Sequence, residues 1–126
     1  MLFRSETTPT VKQKMLKATS RNTVRSRSRT GKPTRQLQSA WSDAWGAKDA
    51  PEPLAMPLQG LLSRPPMAKV DKLAESGHDG AKNLAAYFVG QAVGLMNTEQ
   101  SARSVVADFM KDYAEAVERL SGTLHE

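Results

Sequence analysis

The stretch NTEQSARSVVADFMKDYAEAVERLSG, residues 97–122, decides the fold class. Ala102, Val105, Val106, Phe109, Met110, Tyr113, Val117 and Leu120 recur at three- and four-residue steps and draw one apolar stripe along a helix. Asn97 or Thr98 stands ahead of it as a cap, and Gly122 closes it. Asp108, Asp112, Glu115 and Glu118 fall on the outer face, with Lys111 and Arg119 at pairing distance along the helix. That pattern is a solvated face rather than a pair of catalytic carboxylates.

Working back from this helix, residues 83–96 form the most apolar segment, Leu84 to Val89 followed by Gly90-Gln91-Ala92-Val93-Gly94-Leu95-Met96. Two glycines four apart allow a backbone to pass close to another helix or a ligand. Ser76 to Gly80 reads as a loop. Before it, Met67, Val70, Leu73 and Ala74 space as a short helix stopped by Gly77, and Leu58, Leu61 and Leu62 form a separate apolar cluster ahead of Pro65-Pro66. Asp49 to Pro57 is an extended connector. A helix is predicted over Thr34–Trp45, with Leu37, Trp41, Ala44 and Trp45 on one face and Gly46 as its C-cap. Thr19 to Pro33 alternates Ser with Arg and buries almost nothing, as an exposed strand or an extended loop ended by Gly31-Lys32-Pro33. Thr8 caps a first, short helix with Pro9 at its first position, running to about Ala18 with Val11, Met15 and Ala18 or Lys17 at helical spacing. The chain thus reads as mainly α, in three stretches: a basic helix-loop-helix segment over 1–50, a proline-rich connector with a short helix over 51–82, and an apolar segment with its closing amphipathic helix over 83–126.

With 126 residues the chain holds one small domain and is too short for a complete α/β barrel. The absence of cysteine excludes disulfides, thiolate metal sites and cysteine nucleophiles. No apolar run approaches the roughly 20 residues of a membrane span, and residues 1–6 lack the pattern of a secretory signal, so a cytoplasmic address is expected. The formal charge of +5 is uneven: residues 1–50 hold 11 Lys/Arg against 3 Asp/Glu, residues 51–126 hold 7 against 10. That asymmetry raises a polyanion as partner. Arg21, Arg25, Arg27, Arg29, Lys32 and Arg35 could neutralise several phosphates in a salt-sensitive, sequence-independent way. No aromatic is interleaved for base stacking and no nucleic-acid module is recognisable, which favours a solvated loop over a small nucleic-acid-binding module.

The chemistry-bearing inventory is thin. His78 stands in a glycine loop and His125 at the C-terminus, with no metal-ligand spacing around either. No serine has a nucleophile-elbow context, and there is no phosphate-binding loop or dinucleotide fingerprint. The expectation is a chain with no catalytic, cofactor-binding or metal-binding residue of its own.

Three separated segments resemble the C-terminal part of the nitronate monooxygenase (2-nitropropane dioxygenase) family. The first is Phe3-Arg4-Ser5-Glu6-Thr7-Thr8-Pro9 with Lys12 and Leu16-Lys17-Ala18. The second runs from Thr23-Val24 to Gly31-Lys32-Pro33-Thr34-Arg35, and the third is Val89-Gly90-Gln91-Ala92-Val93-Gly94-Leu95 with the helix after it. Pro57-Leu58-Gln59, Leu61-Leu62 and Pro65-Pro66 lie between them in a familiar order. The resemblance implies an FMN-dependent α/β (TIM-type) barrel enzyme that oxidises alkyl nitronates with dioxygen, represented here by a partial C-terminal segment with the barrel incomplete. In that family a Gly-Thr pair holds the FMN phosphate, and this chain starts at about the residue after it. The catalytic histidine and the main flavin contacts lie further upstream, so FMN is implied for the complete enzyme and none for this chain alone. His78 and His125 match neither the position nor the context of that histidine. Gln91 is the one polar residue in a matching motif with a prospect of facing inward. The implied partners are an upstream barrel fragment or a second copy, met through exposed apolar surface at Leu84–Val89 and on the last helix.

Overall fold

A computed structural model describes residues 7–124, which divide into two units, Thr7–Thr98 and 99–124. Residues 1–6, with them residues 3–6 of the first resemblance segment, and His125 lie outside the described residues.

The first unit opens as its sequence predicts. The Thr8 hydroxyl accepts from the Val11 N–H at 3.5 Å, and Pro9 takes the first helical position, where a missing N–H costs nothing. Helix α1 (Pro9–Lys17) buries Val11 and Met15. The basic stretch then forms strand β1 (Thr23–Ser26), which pairs antiparallel with β2 (Thr34–Leu37), Thr23 opposite Leu37 and Ser26 opposite Thr34.

This corrects the helix expected over Thr34–Trp45. Gly31 adopts a φ of 84°, and its N–H donates to the Arg27 carbonyl at 2.8 Å, so the chain folds back onto β1. The backbone of residues 35–37 is then claimed from its other side too. The Leu37 N–H donates to the Tyr87 carbonyl at 3.0 Å, and the Val89 N–H donates to the Arg35 carbonyl at 3.2 Å. Helix α2 (Ala40–Trp45) starts after Ser39, where the Ser42 hydroxyl bridges the Ser39 N–H and carbonyl at 2.9 and 2.8 Å. The same pairing corrects the expected exposure of Leu84–Val89. Ala85, Ala86 and Val89 are buried as this extended segment lies against β2, leaving Tyr87 and Phe88 partly in solvent.

A second correction concerns the prolines. One helix, α3 (Leu58–Glu75), runs through Pro65 and Pro66 in place of a cluster followed by a short helix. Each interior proline removes a rung and costs about 3 kcal/mol in isolation. Burial on one face offsets this, because Gln59, Ser63, Met67 and Ala74 lie along a single stripe facing the core. The expected loop at Ser76–Gly80 is shorter than predicted: α4 (Asp79–Leu84) begins directly after His78, whose Nδ1 accepts the Ala81 N–H at 3.2 Å. A 3-10 helix, Gln91–Leu95, follows. A Cβ on Gly94 would stand 2.5 Å from the Ser20 nitrogen, so of the two glycines only Gly94 makes a close approach, and it is to the turn after α1 rather than to a helix or a ligand; Gly90 has only Ala92 N at 4.0 Å. Val11, Met15, Leu37, Met67, Ala74 and Val93 form the apolar centre of the unit.

The second unit is helix α5 (Ala102–Thr123), 22 residues long. Its cap is Ser101 rather than Asn97 or Thr98: the Ser101 hydroxyl, adjacent to the first turn, accepts the Ser104 N–H at 3.1 Å. The outer charges behave as expected, with Lys111 3.7 Å from Glu115. No residue of α5 is buried, and Val106, Phe109, Met110, Tyr113 and Leu120 are all exposed. Among the described residues no helix is long and apolar enough to cross a membrane.

Candidate functional site

The hairpin tip, residues 27–33, is held from both sides. Within the loop, Arg27 Nε donates to the Gly31 carbonyl at 3.0 Å and the Ser28 N–H donates to Ser26 Oγ at 3.1 Å. From below, Gln36 Nε2 donates to the buried Ser28 hydroxyl at 3.3 Å. The first two turns of α3 supply the rest. Gln59 Nε2 donates to the Ser28 carbonyl and Ser63 Oγ to the Arg29 carbonyl, both at 2.7 Å. Gln59 is engaged at both ends of its amide, since its Oε1 accepts the Leu54 N–H at 3.0 Å. A buried glutamine satisfied at both ends fixes backbone position, because moving either partner strands a polar group away from water.

Arg29 is therefore anchored by its backbone, and its side chain is aimed as well. Nη1 donates to the Ala86 carbonyl at 3.2 Å, and the guanidinium carbon lies 5.1 Å from the centre of the Phe88 ring. Burial holds the Arg29 pKa below the ordinary arginine value, with the charges of Asp71 and Tyr87 opposing the shift. Asp71 on α3 is raised, first by burial, against the pull of Arg29 and with a further push from Glu75. Neither carboxylate makes an ion pair with Arg29. Arg29, Thr30, Met56, Gly60, Arg64 and Phe88 surround a cavity of about 300 Å³.

The structure disperses the other residues singled out from the sequence. His78 is exposed and serves as the cap of α4. Gln91 is exposed at the start of the 3-10 helix, so it does not face inward. Among the described residues no group of His, Cys, Asp or Glu is placed to hold a metal ion. Of the basic stretch, Arg27 and Arg35 are partly spent on the hairpin itself, Arg35 Nη1 donating to Thr23 Oγ1 at 2.9 Å. Arg25 stands directly opposite Arg35 across the ladder, an unfavourable like-charge pairing. Sequence reading missed the cavity because its walls come from the hairpin, α3 and the extended segment at Phe88, with no local motif in common.

The FMN implied by the family resemblance does not fit these residues as a self-contained site. An isoalloxazine ring needs a flat slot, and the aromatic face at this cavity, Phe88, is already covered by Arg29.

Comparison with known proteins places the chain beside one named for oxidative chemistry. It is 48% identical over 118 residues to the Mycobacterium tuberculosis (strain ATCC 25618 / H37Rv) protein named "Putative monooxygenase Rv1533". The match covers 94% of this chain and 32% of that protein, so the chain spans about a third of the length of its curated relative. No family model matches the chain, and no solved structure matches it.

Proposed function

We propose that the chain is the C-terminal part of an FMN-dependent nitronate monooxygenase-like enzyme and does not turn over by itself. The observation that carries this reading is the 48% identity to a protein named as a monooxygenase, across nearly the whole of this chain and a third of the other. The monooxygenase class rests on that match. The nitronate substrate, the flavin and the barrel rest on the three motif segments, in particular Gly31-Lys32-Pro33-Thr34-Arg35 and Gly90-Gln91-Ala92. In such an enzyme the flavin supplies the redox chemistry and the protein positions it.

The partner in this reading is the upstream barrel segment, and its landing surface is the apolar face of α5. Val106, Phe109, Met110, Tyr113 and Leu120 expose a contiguous apolar stripe, larger than isolated surface residues would give. The two thirds of the relative that this chain does not match is the length available to cover it.

The test mixes this chain with a protein made from the unmatched part of the relative, and follows flavin retention and oxygen uptake with propyl-2-nitronate. Neither piece alone is expected to turn over, and the mixture is expected to retain flavin and consume oxygen. Nitronate oxidation by this chain alone would overturn the reading. So would an intact relative that oxidises no nitronate.

A further inference from the structure

The cavity at the hairpin tip has a chemical character that the oxidative reading does not use. Arg29 spends one N–H on Ala86, and its remaining donors have no carboxylate partner among the described residues. Arg64, one turn after Gly60 on α3, is exposed and makes no hydrogen bond or ion pair among the described residues. Two guanidinium groups of like charge thus border one cavity, an arrangement that raises the energy of the empty site and is relieved by an anion between them. Pro57 and Gly60 on the same wall belong to the start of an 18-residue helix, whose positive end adds to the same field. Thr30 brings a hydroxyl to the rim. Met56, Pro57 and Phe88 supply apolar wall.

Rigidity separates this cavity from a chance gathering of surface arginines. Arg29 is fixed at its carbonyl by Ser63 and at its guanidinium by Ala86 and Phe88. Gly31 sits so close to the connector that a Cβ on it would lie 2.5 Å from the Leu54 carbonyl and 2.6 Å from the Met56 nitrogen. The Arg29 wall and the Met56 wall are therefore locked together, so the ordering left to be done on binding falls on the Arg64 side chain.

We propose that this cavity binds a small organic anion, an oxyanion group held by Arg29 and Arg64 with a short apolar body against Met56, Pro57 and Phe88. At about 300 Å³ it sits at the small end of ligand pockets, enough for an anion with a chain of a few carbons. The oxyanion can be a carboxylate or a phosphate, since an arginine fork reads both. The inference stands on the cavity alone and does not depend on the monooxygenase reading.

The test is a titration of the full chain, followed by amide and arginine Nε NMR shifts, with hexanoate, butyl phosphate, inorganic phosphate and neutral hexanamide. Saturable shifts confined to residues 29–30, 56–64 and 88 are expected with the organic anions and not with hexanamide. Tighter binding of butyl phosphate than of hexanoate assigns the site to phosphates, and the reverse order to carboxylates. Arg64→Gln lies on the exposed face of α3 and leaves the fold intact, and it should weaken binding about tenfold or more. Arg29→Lys, which keeps the charge and loses the fork, should weaken it further. Equal binding of hexanamide, an unchanged affinity in Arg64→Gln, or no saturable shift with either organic anion would overturn the proposal.

Discussion

Replacing Gly31 by alanine tests the packing that joins the hairpin tip to the connector. Two costs combine at this position. The φ of 84° is left-handed backbone, which a residue with a Cβ adopts at a cost of about 1–2 kcal/mol. The new methyl would also stand 2.5, 2.6 and 2.8 Å from Leu54, Met56 and Ala55 backbone atoms, and relieving such overpacking costs about 1–3 kcal/mol. Together they amount to about 2–5 kcal/mol, a large part of the roughly 5–15 kcal/mol that holds a domain of this size. At about 4–8 °C per kcal/mol for a unit of this length, the melting temperature should fall by at least about 8 °C. Gly77→Ala is the matched control: its φ is 97°, but a Cβ there meets nothing within 4 Å, so it carries the backbone cost alone. Trp41 and Trp45, the chain's two tryptophans, both lie on or at the end of α2, so their fluorescence reports the first unit without interference from α5. Thermal melts of the two variants by tryptophan fluorescence should separate clearly, Gly31→Ala the lower. Equal shifts would refute the claim that the tip is pressed against residues 54–56.

Gln59→Ala should lower stability by about 2–4 kcal/mol in urea melts, because it strands the Ser28 carbonyl and the Leu54 N–H at a fully buried site and leaves a void. Asp71 carries a folded pKa above its ordinary value of 3.8, so the folded state binds its proton more tightly and stability from this group falls as pH rises through that window. Asp71→Asn removes the charge, and its stability relative to the parent chain should improve between about pH 3 and pH 6 in urea midpoints. Lys14 has its pKa held below 10.5 by burial while its Nζ donates to the Ala85 carbonyl at 2.7 Å. In the window beneath 10.5 the unfolded chain binds more protons, so stability from Lys14 should rise with pH there, and the slope should vanish in Lys14→Met. Phe109→Ser should leave the tryptophan-reported melt within about 0.5 kcal/mol of the parent, since Phe109 is exposed and outside the first unit, while reducing any association seen by light scattering.

The parts of the fold legible in the sequence are those where hydropathy and local chemistry agree. Thr8-Pro9 with Val11 and Met15 gave α1 both its start and its buried face, and the α5 stripe gave a helix within a few residues of its ends. Gly94 announced a close approach and has one. The first half of α3 misled for a specific reason: its buried positions are Gln59 and Ser63, while Leu58, Leu61 and Leu62 face solvent. A polar residue buried for its hydrogen bonds looks, in a hydropathy reading, like surface. Residues 34–37 misled because Leu37 fits a helical stripe with Trp41, and strand pairing with residues 23–26 and 87–89 is non-local. The candidate cavity was invisible on the same ground. Arg29 is one of several basic residues in its stretch, and nothing in residues 19–33 indicates that Phe88 and Arg64 close around it.

The proline pair in α3 has a consequence for how motion travels through the first unit. Without N–H groups at Pro65 and Pro66, the Leu61 and Leu62 carbonyls lose their rungs, and the helix is divided into a clamp segment, 58–64, and a tail, 67–75. Opening of a helix end normally spreads by unzipping successive rungs. Here two rungs are absent, so the two sides are held by separate side-chain anchors, Gln59 and Ser63 on one and Met67 and Ala74 on the other. Opening that starts at the Ser76–Gly77 turn has to release Ala74 and Met67 from the core before it reaches the residues that hold the hairpin tip.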